Sequence, residues 1–399
     1  MIMGAGKTSA SINLMKQDKN NKYIFITPYL DEVDRIKNEC SERNFYSPAN
    51  RGKGKLDNLH YHLGKGHNIA STHALFKHYN EYTLELIQNG GYKLILDEVF
   101  DVVKKINISK DDLDLLINTK TIEIKDSYVN WLDEEYDGDF NELKHMAKSH
   151  NIIMYNNNLM LWTFPIEVFK VFKEVIILTY LFDAQIQKYY YDLHEVKFKY
   201  IGTKLIDGKY QFTNKPEIPS YVKTLKDKIH IVQDNKLNLI GEYKYALSSS
   251  WFERECSIKQ KPLIKKLKNN LVNVFNNKFK TTSEYNMWTT FINYKGMIKG
   301  KGYTNGFISC NVRATNEYRY KTHLAYCVNI YFNPFLKNYF LDHNIEVLED
   351  KFALSELIQW IWRSAIRDGK EIWIYIPSKR MRNLLEDWLK ELSEEGLSK

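Results

Sequence analysis

The chain has 399 residues, of which 44% are hydrophobic and 27% charged, and it carries a formal net charge of +8. This composition excludes an intrinsically disordered chain, and the length fits two domains of ordinary size. No apolar run is long enough to cross a bilayer, and the first residues lack the apolar segment of a signal peptide. We therefore expect a cytoplasmic protein without a membrane partner.

The cysteines and the basic charge narrow the class of protein further. Cys40, Cys256, Cys310 and Cys327 include no CxxC pair, which argues against a zinc site and against a disulfide framework. A positive net charge suits a partner that carries phosphates, such as a nucleic acid. The basic residues are spread along the chain, so the charge alone leaves that partner undecided.

The N-terminal part alternates between short apolar runs and helical patterns. A loop at residues 3–8 leads into a helix at 9–16, and a second helix is expected at 31–42. Strands are predicted at residues 23–26, 67–70 and 93–96. Such runs, separated by helices, are typical of a buried parallel sheet with crossover connections.

The pattern becomes less regular after residue 101. Ser109 is expected to cap a helix that runs to residue 118, and Asn156, Asn157 and Asn158 predict the turn of a hairpin over 152–162. A strand at 175–178 resumes the parallel pattern. Pro216 and Pro219 mark turns, and we place a linker at 196–225 between domains at 1–195 and 226–399.

The C-terminal part again alternates between strands and helices. Strands are predicted at residues 229–232, 287–291, 307–310, 325–331 and 371–376. Helices are predicted at residues 262–275, 354–366 and 379–392, and Pro262 suits the first turn of its helix. The expected fold class is therefore α/β, with a mainly parallel sheet flanked by helices in each of two domains.

The first motif that carries chemistry is Gly4-Ala5-Gly6-Lys7-Thr8. The glycines let successive backbone N–H groups point at a phosphate, and the following helix adds its positive N-terminal end. In this pattern Lys7 reaches the β- and γ-phosphates of ATP, and Thr8 ligates Mg²⁺. Such a loop normally follows a buried strand, whereas here it starts at the first residues, so we expect the first domain without its first strand.

The second motif is the apolar strand that ends at Asp97-Glu98. At the carboxyl edge of a parallel sheet these carboxylates would lie beside the phosphate-binding loop. Asp97 could then hold the Mg²⁺ ion, and Glu98 could orient and deprotonate the attacking water. A solvated strand end is the alternative interpretation when the motif is considered alone.

The third motif is Gln359-Trp-Ile-Trp-Arg363-Ser-Ala-Ile-Arg367. Its polar residues recur every four positions, so Gln359, Arg363 and Arg367 are predicted to share one helix face. Two guanidinium groups in that arrangement can stabilise the negative charge on a γ-phosphate. A basic, solvated helix face is the equal alternative. Trp360 and Trp362 are expected in the core.

These motifs, in this order, resemble those of superfamily 2 helicases. Residues 4–8 resemble motif I, Asp97-Glu98 resembles motif II, and residues 359–367 resemble motif VI. Residues 178–185, 311–316 and 359–367 are also similar to helicase-like proteins of phages from low-GC Gram-positive bacteria. The resemblance implies two RecA-like P-loop NTPase lobes, the first binding ATP and Mg²⁺ and the second supplying Arg363 and Arg367.

The resemblance also implies contacts to nucleic acid from loops at strand ends of both lobes. Hydroxyl, amide and guanidinium groups bind backbone phosphates without reading sequence. The candidates are Thr27, Thr72, Arg313, Thr315 and Asn316. The segment Lys188-Tyr189-Tyr190-Tyr191 could stack on bases, but a half-buried strand is the favoured interpretation.

The expected function is an ATP-dependent helicase or translocase. Its expected substrate is single- or double-stranded DNA, and RNA is not excluded. The expected setting is phage replication, recombination or repair, with replication proteins as possible partners. Tyr180 breaks the middle of the segment that resembles motif III, so a regulatory DNA-binding protein without productive hydrolysis is an alternative. A DNA-packaging ATPase, which shares the first two motifs, is a weaker alternative.

Overall fold

The computed structural model describes residues 2–52, 54–311 and 317–395. The chain forms two compact units. The first contains Gly6–Pro216 and Asn333–Val347, and the second contains Ile2–Ala5, Glu217–Phe332 and Leu348–Lys399. In the described part of the chain, no helix has the length and apolar character that a membrane crossing requires.

The strands, in chain order, are β1 (Lys22–Thr27), β2 (Phe45–Tyr46), β3 (Asn68–Thr72), β4 (Tyr92–Asp97), β5 (Val103–Lys105), β6 (Ile122–Lys125), β7 (Tyr128–Trp131), β8 (Ile152–Tyr155), β9 (Leu159–Thr163), β10 (Val175–Leu178), β11 (Gly202–Ile206), β12 (Lys209–Thr213), β13 (Ile229–Ile231), β14 (Asn286–Thr289), β15 (His323–Tyr326) and β16 (Ile372–Tyr375).

The helices, in chain order, are α1 (Lys7–Gln17), α2 (Leu30–Glu39), α3 (Lys55–Gly64), α4 (His73–Phe76), α5 (Glu81–Gly90), α6 (Lys110–Asn118), α7 (Asn141–Lys148), α8 (Glu167–Lys170), α9 (Ile186–Leu193), α10 (Leu225–Lys228), α11 (Asn235–Asn238), α12 (Ser249–Ser257), α13 (Pro262–Asn273), α14 (Lys295–Ile298), α15 (Pro334–Asp342), α16 (Glu349–Ile361) and α17 (Lys379–Glu395).

A five-stranded parallel sheet forms the centre of the first unit, in the order β10-β4-β1-β3-β2. The central strands are apolar along their length, as expected for a sheet covered on both faces. Helices α1 and α2 cover one face with Ile12, Met15, Val33 and Ile36. Because the strands run in the same direction, the ends of β1, β3, β4 and β10 meet at one edge.

A five-stranded antiparallel sheet, in the order β5-β9-β8-β7-β6, is inserted after β4. The predicted hairpin is confirmed, because β8 and β9 pair in antiparallel register across the asparagine turn. The predicted cap is also confirmed, since the Ser109 side chain accepts a hydrogen bond from the backbone N–H of Asp112 at the start of α6. The sheet as a whole was not predicted.

Helix α15 belongs to the first unit although its chain neighbours lie in the second. Asn333 caps it by accepting hydrogen bonds from the N–H groups of Phe335 and Leu336. The helix packs on the inserted sheet, where the Lys105 ammonium lies 4.0 Å from the centre of the Phe335 ring. The predicted domain at 226–399 therefore contains a segment, Asn333–Val347, that belongs to the first unit.

The predicted linker at 196–225 contains a hairpin of β11 and β12. Asp207 and Gly208 form its two-residue turn, both with positive φ (49° and 73°), as a type I′ turn requires. The boundary between the units follows at Pro216. An Asp-Gly pair between two alternating runs is the signal that would have predicted this hairpin.

The second unit is built on a four-stranded parallel sheet in the order β13-β16-β15-β14. Its core includes Phe275, Trp288, Tyr303 and Tyr375, none of them exposed. The α/β prediction, with a parallel sheet and flanking helices in each half, is confirmed. The predicted strand at 307–310 is reduced to one bridge, between Phe307 and Trp288.

Candidate nucleotide-binding site

The glycines of the predicted phosphate-binding loop have the backbone conformation that such a loop needs. Gly4 and Gly6 lie in the left-handed region, with φ of 77° and 73°. Only glycine enters this region without steric cost. Helix α1 begins at Lys7, so the free N–H groups of its first turn follow Gly6 directly. The loop and the helix end thus have the local geometry of an anion-binding turn.

The segment before Gly6 is held by residues of the second unit, to which Ile2–Ala5 belongs. The Tyr221 hydroxyl donates a hydrogen bond to the Met3 carbonyl at 2.5 Å. The indole of Trp362 lies against Gly4, because a Cβ placed on Gly4 would meet its Nε1 at 3.4 Å. These contacts fix the conformation of the first part of the loop.

The two carboxylates follow the carboxyl end of β4. Asp97 is the last residue of the strand, and its Oδ2 accepts a hydrogen bond from the Thr27 hydroxyl at 3.4 Å. Glu98 has a φ of 66°, and its N–H donates to the Leu178 carbonyl at 3.1 Å. A non-glycine residue in this region stores backbone strain, a feature that clusters at functional sites. Glu98 is fixed through its backbone to β10, directly after the end of β4.

Electrostatic interactions link Lys7 to both carboxylates within the first unit. Burial lowers the pKa of Lys7, and the negative charges of Glu98 and Asp97 oppose that shift. Burial, together with the charges of Glu98 and Glu32, raises the pKa of Asp97 to about 8. Carboxylates crowded in a partly buried site favour a cation, because a bound cation offsets both the burial and the repulsion.

The oxygen donors of the first unit fit a bound Mg²⁺ ion. Thr8 supplies a hydroxyl in the first turn of α1, and Asp97 supplies a carboxylate at the strand end. Mg²⁺ prefers such oxygen ligands and usually keeps several waters and phosphate oxygens as well. Thr8 and Asp97 are therefore oxygen donors of the kind that Mg²⁺ binds.

Two family models match the chain. The one described as the YonV C-terminal Rossmann-like domain matches residues 223–389, and the one described as the YonV middle domain matches residues 103–162. The SPbeta prophage-derived uncharacterized protein YonV of Bacillus subtilis (strain 168) is 48% identical over 403 residues, which cover 97% of each chain. The chain belongs to the YonV family. The YonV middle domain coincides with the inserted antiparallel sheet, and the YonV C-terminal domain contains the parallel sheet of the second unit.

Two solved structures resemble this YonV family member weakly over nearly its whole length. One, described as XPD_Helicase, covers 97% of this chain and 93% of its own, with 11% identity and a TM-score of 0.45. The other, Xpd4 of S. tokodaii, covers 96% of this chain and 92% of its own, with 13% identity and a TM-score of 0.47.

The predicted helix face of Gln359, Arg363 and Arg367 is wrong for this member of the YonV family. Helix α16 ends at Ile361, so Arg363 follows the helix and is buried, whereas Arg367 lies in the next 3₁₀ turn and is exposed. The helix stops because the backbone of Ser364 is extended and its hydroxyl bonds the Ile361 carbonyl at 2.7 Å. Gln359 remains in the helix and donates to the Ser355 hydroxyl.

The predicted nucleic-acid contacts have different environments. Thr27 is fully buried with its hydroxyl on Asp97, so a phosphate contact would require that hydroxyl to turn away. Thr72 ends β3 and is partly exposed at the same sheet edge. Arg313, Thr315 and Asn316 lie outside the described residues.

The three consecutive tyrosines lie in a helix, which corrects the predicted strand. Tyr189, Tyr190 and Tyr191 in α9 are each at most 4% exposed. The Tyr190 hydroxyl bonds the Phe164 carbonyl, and the Tyr189 ring contacts Phe340 of α15. Because partners from separate elements surround these rings, they form part of the core and present no stacking surface.

The sequence did not indicate the residues that contact the segment from Asp97 to Phe100, which carries the two carboxylates. His73 Nε2 lies 3.1 Å from the Asp97 carbonyl, and its ring contacts Phe100 edge-to-face. The Gln187 side chain accepts a hydrogen bond from the Phe100 N–H at 2.9 Å. No local pattern identifies these residues, since His73 and Gln187 are far from Glu98 in sequence.

Proposed function

We propose that this YonV family protein is an ATP-dependent nucleic-acid motor of the superfamily 2 helicase type. The observation that carries the proposal is the left-handed Gly6 that opens α1 at Lys7, together with Asp97 and Glu98 at the carboxyl end of β4, whose negative charges act on Lys7. A phosphate-binding lysine and two strand-end carboxylates are the parts that ATP hydrolysis requires. A prophage-derived relative supports a phage setting, with DNA as the proposed substrate in replication, recombination or repair.

The proposed roles follow from the position of each group. The N–H groups of Gly6 and Lys7 and the Lys7 ammonium bind the phosphate oxygens of ATP. Bound Mg²⁺ would neutralise phosphate charge, and Thr8 and Asp97 are the residues that would hold it. Glu98 orients a water molecule and accepts its proton on a carboxylate oxygen. Thr27 keeps Asp97 in place through its hydroxyl.

Roles for residues of the second unit and for the nucleic-acid contacts are proposed from the resemblance to superfamily 2 helicases. Arg363 and Arg367 are proposed to stabilise phosphate charge during hydrolysis, as the motif VI resemblance implies. Thr72, at the edge where the strands end, is proposed to bind a backbone phosphate of the nucleic acid. Neither role is required for ATP binding by Lys7.

Steady-state ATP hydrolysis with and without single-stranded DNA tests the proposal. The wild type is expected to hydrolyse ATP faster when DNA is present, and Lys7→Ala is expected to lose at least a hundredfold in rate because the phosphate charge is left unpaired. Lys16→Ala is the matched control, since Lys16 is an exposed lysine in the last turn of the same helix.

The alternative of a regulatory protein without hydrolysis predicts a different result. ATP would still bind to the wild type and not to Lys7→Ala, but turnover would be equally negligible in the wild type, Lys7→Ala and Lys16→Ala. That outcome would contradict the motor proposal while leaving the nucleotide site intact.

A further inference from the structure

The hairpin of β11 and β12 places an aromatic ring on the phosphate-binding loop. A Cβ built on Gly6 would lie 2.3, 2.4 and 2.5 Å from Cγ, Cδ1 and Cδ2 of Tyr210. Because these distances are nearly equal, the ring faces the Cα of Gly6. Gly6 must therefore be glycine for two reasons, its positive φ and the ring packed against it.

The hairpin is fixed to the first unit, so the ring is held in position. The Asn13 amide in α1 donates a hydrogen bond to the Tyr210 carbonyl at 3.3 Å. Two residues further along β12, Phe212 packs against the core formed by the parallel sheet and α1. The tight Asp207-Gly208 turn sets the register, which pairs Tyr210 with Leu205.

The Tyr210 side chain is partly exposed, and among the described residues no other aromatic ring contacts it. A partly exposed aromatic ring beside the proposed phosphate site is available to a ligand as well as to packing. The ring lies on Gly6, and its strand is bonded to α1 through Asn13, so a nucleotide with its phosphates at Gly6 and Lys7 would have β12 beside it.

We propose that Tyr210 stacks on the base of the bound nucleotide and that the β11–β12 hairpin forms one wall of the base site. The inference rests on the proposed nucleotide site and adds the residue that recognises the base. Aromatic stacking tolerates any base, because every base has a π face, so Tyr210 strengthens binding without selecting adenine.

The test compares binding of Mg·ATP with binding of Mg·tripolyphosphate, which has the phosphates but no base, by titration calorimetry on the full chain. Tyr210→Phe is expected to bind both like the wild type. Tyr210→Leu keeps an apolar side chain on Gly6 but has no π face. It is expected to bind ATP about tenfold more weakly and tripolyphosphate within twofold of the wild type. Tyr210→Ala is expected to show the same difference.

The controls separate this proposal from the proposed function. Gln211→Ala, at the next position of β12 and on its opposite face, is expected to change neither affinity, and Lys7→Ala is expected to weaken both. Equal losses for ATP and tripolyphosphate in Tyr210→Leu would show a packing role and overturn the stacking role. No binding of either ligand by the wild type would overturn the nucleotide site and, with it, the role of Tyr210.

Discussion

Glu98 combines a charged side chain with a backbone conformation that favours glycine. Its φ is 66°, directly after the end of β4, and its negative charge adds to the effect of burial in raising the pKa of the adjacent Asp97. Both features cost stability, and the proposed role of Glu98 in hydrolysis would account for their retention. Strain and like-charge repulsion of this kind persist where the surrounding structure imposes them.

Glu98→Gly is expected to stabilise the protein while it removes the proposed catalytic carboxylate. Glycine relieves the strained φ, a gain of about 1 kcal/mol in the free energy of unfolding, and it also removes a charge that repels Asp97 and attracts Lys7. Urea unfolding at pH 7 measures the change. Glu98→Gln separates the two causes, since it keeps the strain and removes the charge. A loss of stability in Glu98→Gly would contradict the strained-turn account.

Several elements could be predicted because their signals are local. Ser109 caps its helix through a residue three positions away, and the asparagine turn joins adjacent strands. The end of α16 could not be predicted, because the conformation of Ser364 overrides a continuous helical pattern. The tyrosines of α9 are buried by Phe164 and Phe340, which no spacing in the sequence connects to them.

Asp18 connects α1 to the parallel sheet by several polar contacts. It accepts hydrogen bonds from the Tyr23 hydroxyl at 2.7 Å and from the Asn21 amide at 2.8 Å, and Lys93 Nζ lies 3.4 Å away. Burial would raise the pKa of Asp18, but these partners outweigh it and lower the pKa to about 2. The network anchors the C-terminal end of the helix whose first turn carries Lys7.

Asp18→Asn is expected to lower the free energy of unfolding at pH 7 by about 1–2 kcal/mol, because a charge-assisted network is lost. A lowered pKa in the folded state stabilises the protein above the unfolded value of 3.8, and this contribution disappears as the pH falls through about 2. Urea unfolding from pH 7 to pH 2.5 should therefore show a constant difference from wild type down to about pH 4, and a shrinking one below.

Asp34→Asn is the control for that series, because Asp34 is an exposed residue of α2 whose ion pair among the described residues is with the exposed Lys37, 3.5 Å away. It is expected to change stability by less than about 0.5 kcal/mol at every pH. A difference between Asp18→Asn and wild type that grows toward low pH would contradict the network.

At the scale of the whole molecule, neither compact unit is continuous in sequence. Residues Asn333–Val347 join the first unit, and Ile2–Ala5 join the second. The candidate site could be predicted in its first-unit part because Lys7, Asp97 and Glu98 each belong to a short motif at a fixed place in a parallel sheet. Tyr210 and α15 could not, because their contacts span long separations in sequence.

The central claim is that Lys7 and the Asp97-Glu98 pair form one site that binds ATP and hydrolyses it. The most direct test is single-turnover hydrolysis of bound ATP by the wild type and Glu98→Gln, with affinity measured on the same samples. Glu98→Gln should bind ATP within about threefold of the wild type and hydrolyse it at least about a hundredfold more slowly, since only the proton acceptor is lost. Equal single-turnover rates in the two proteins would contradict the claim.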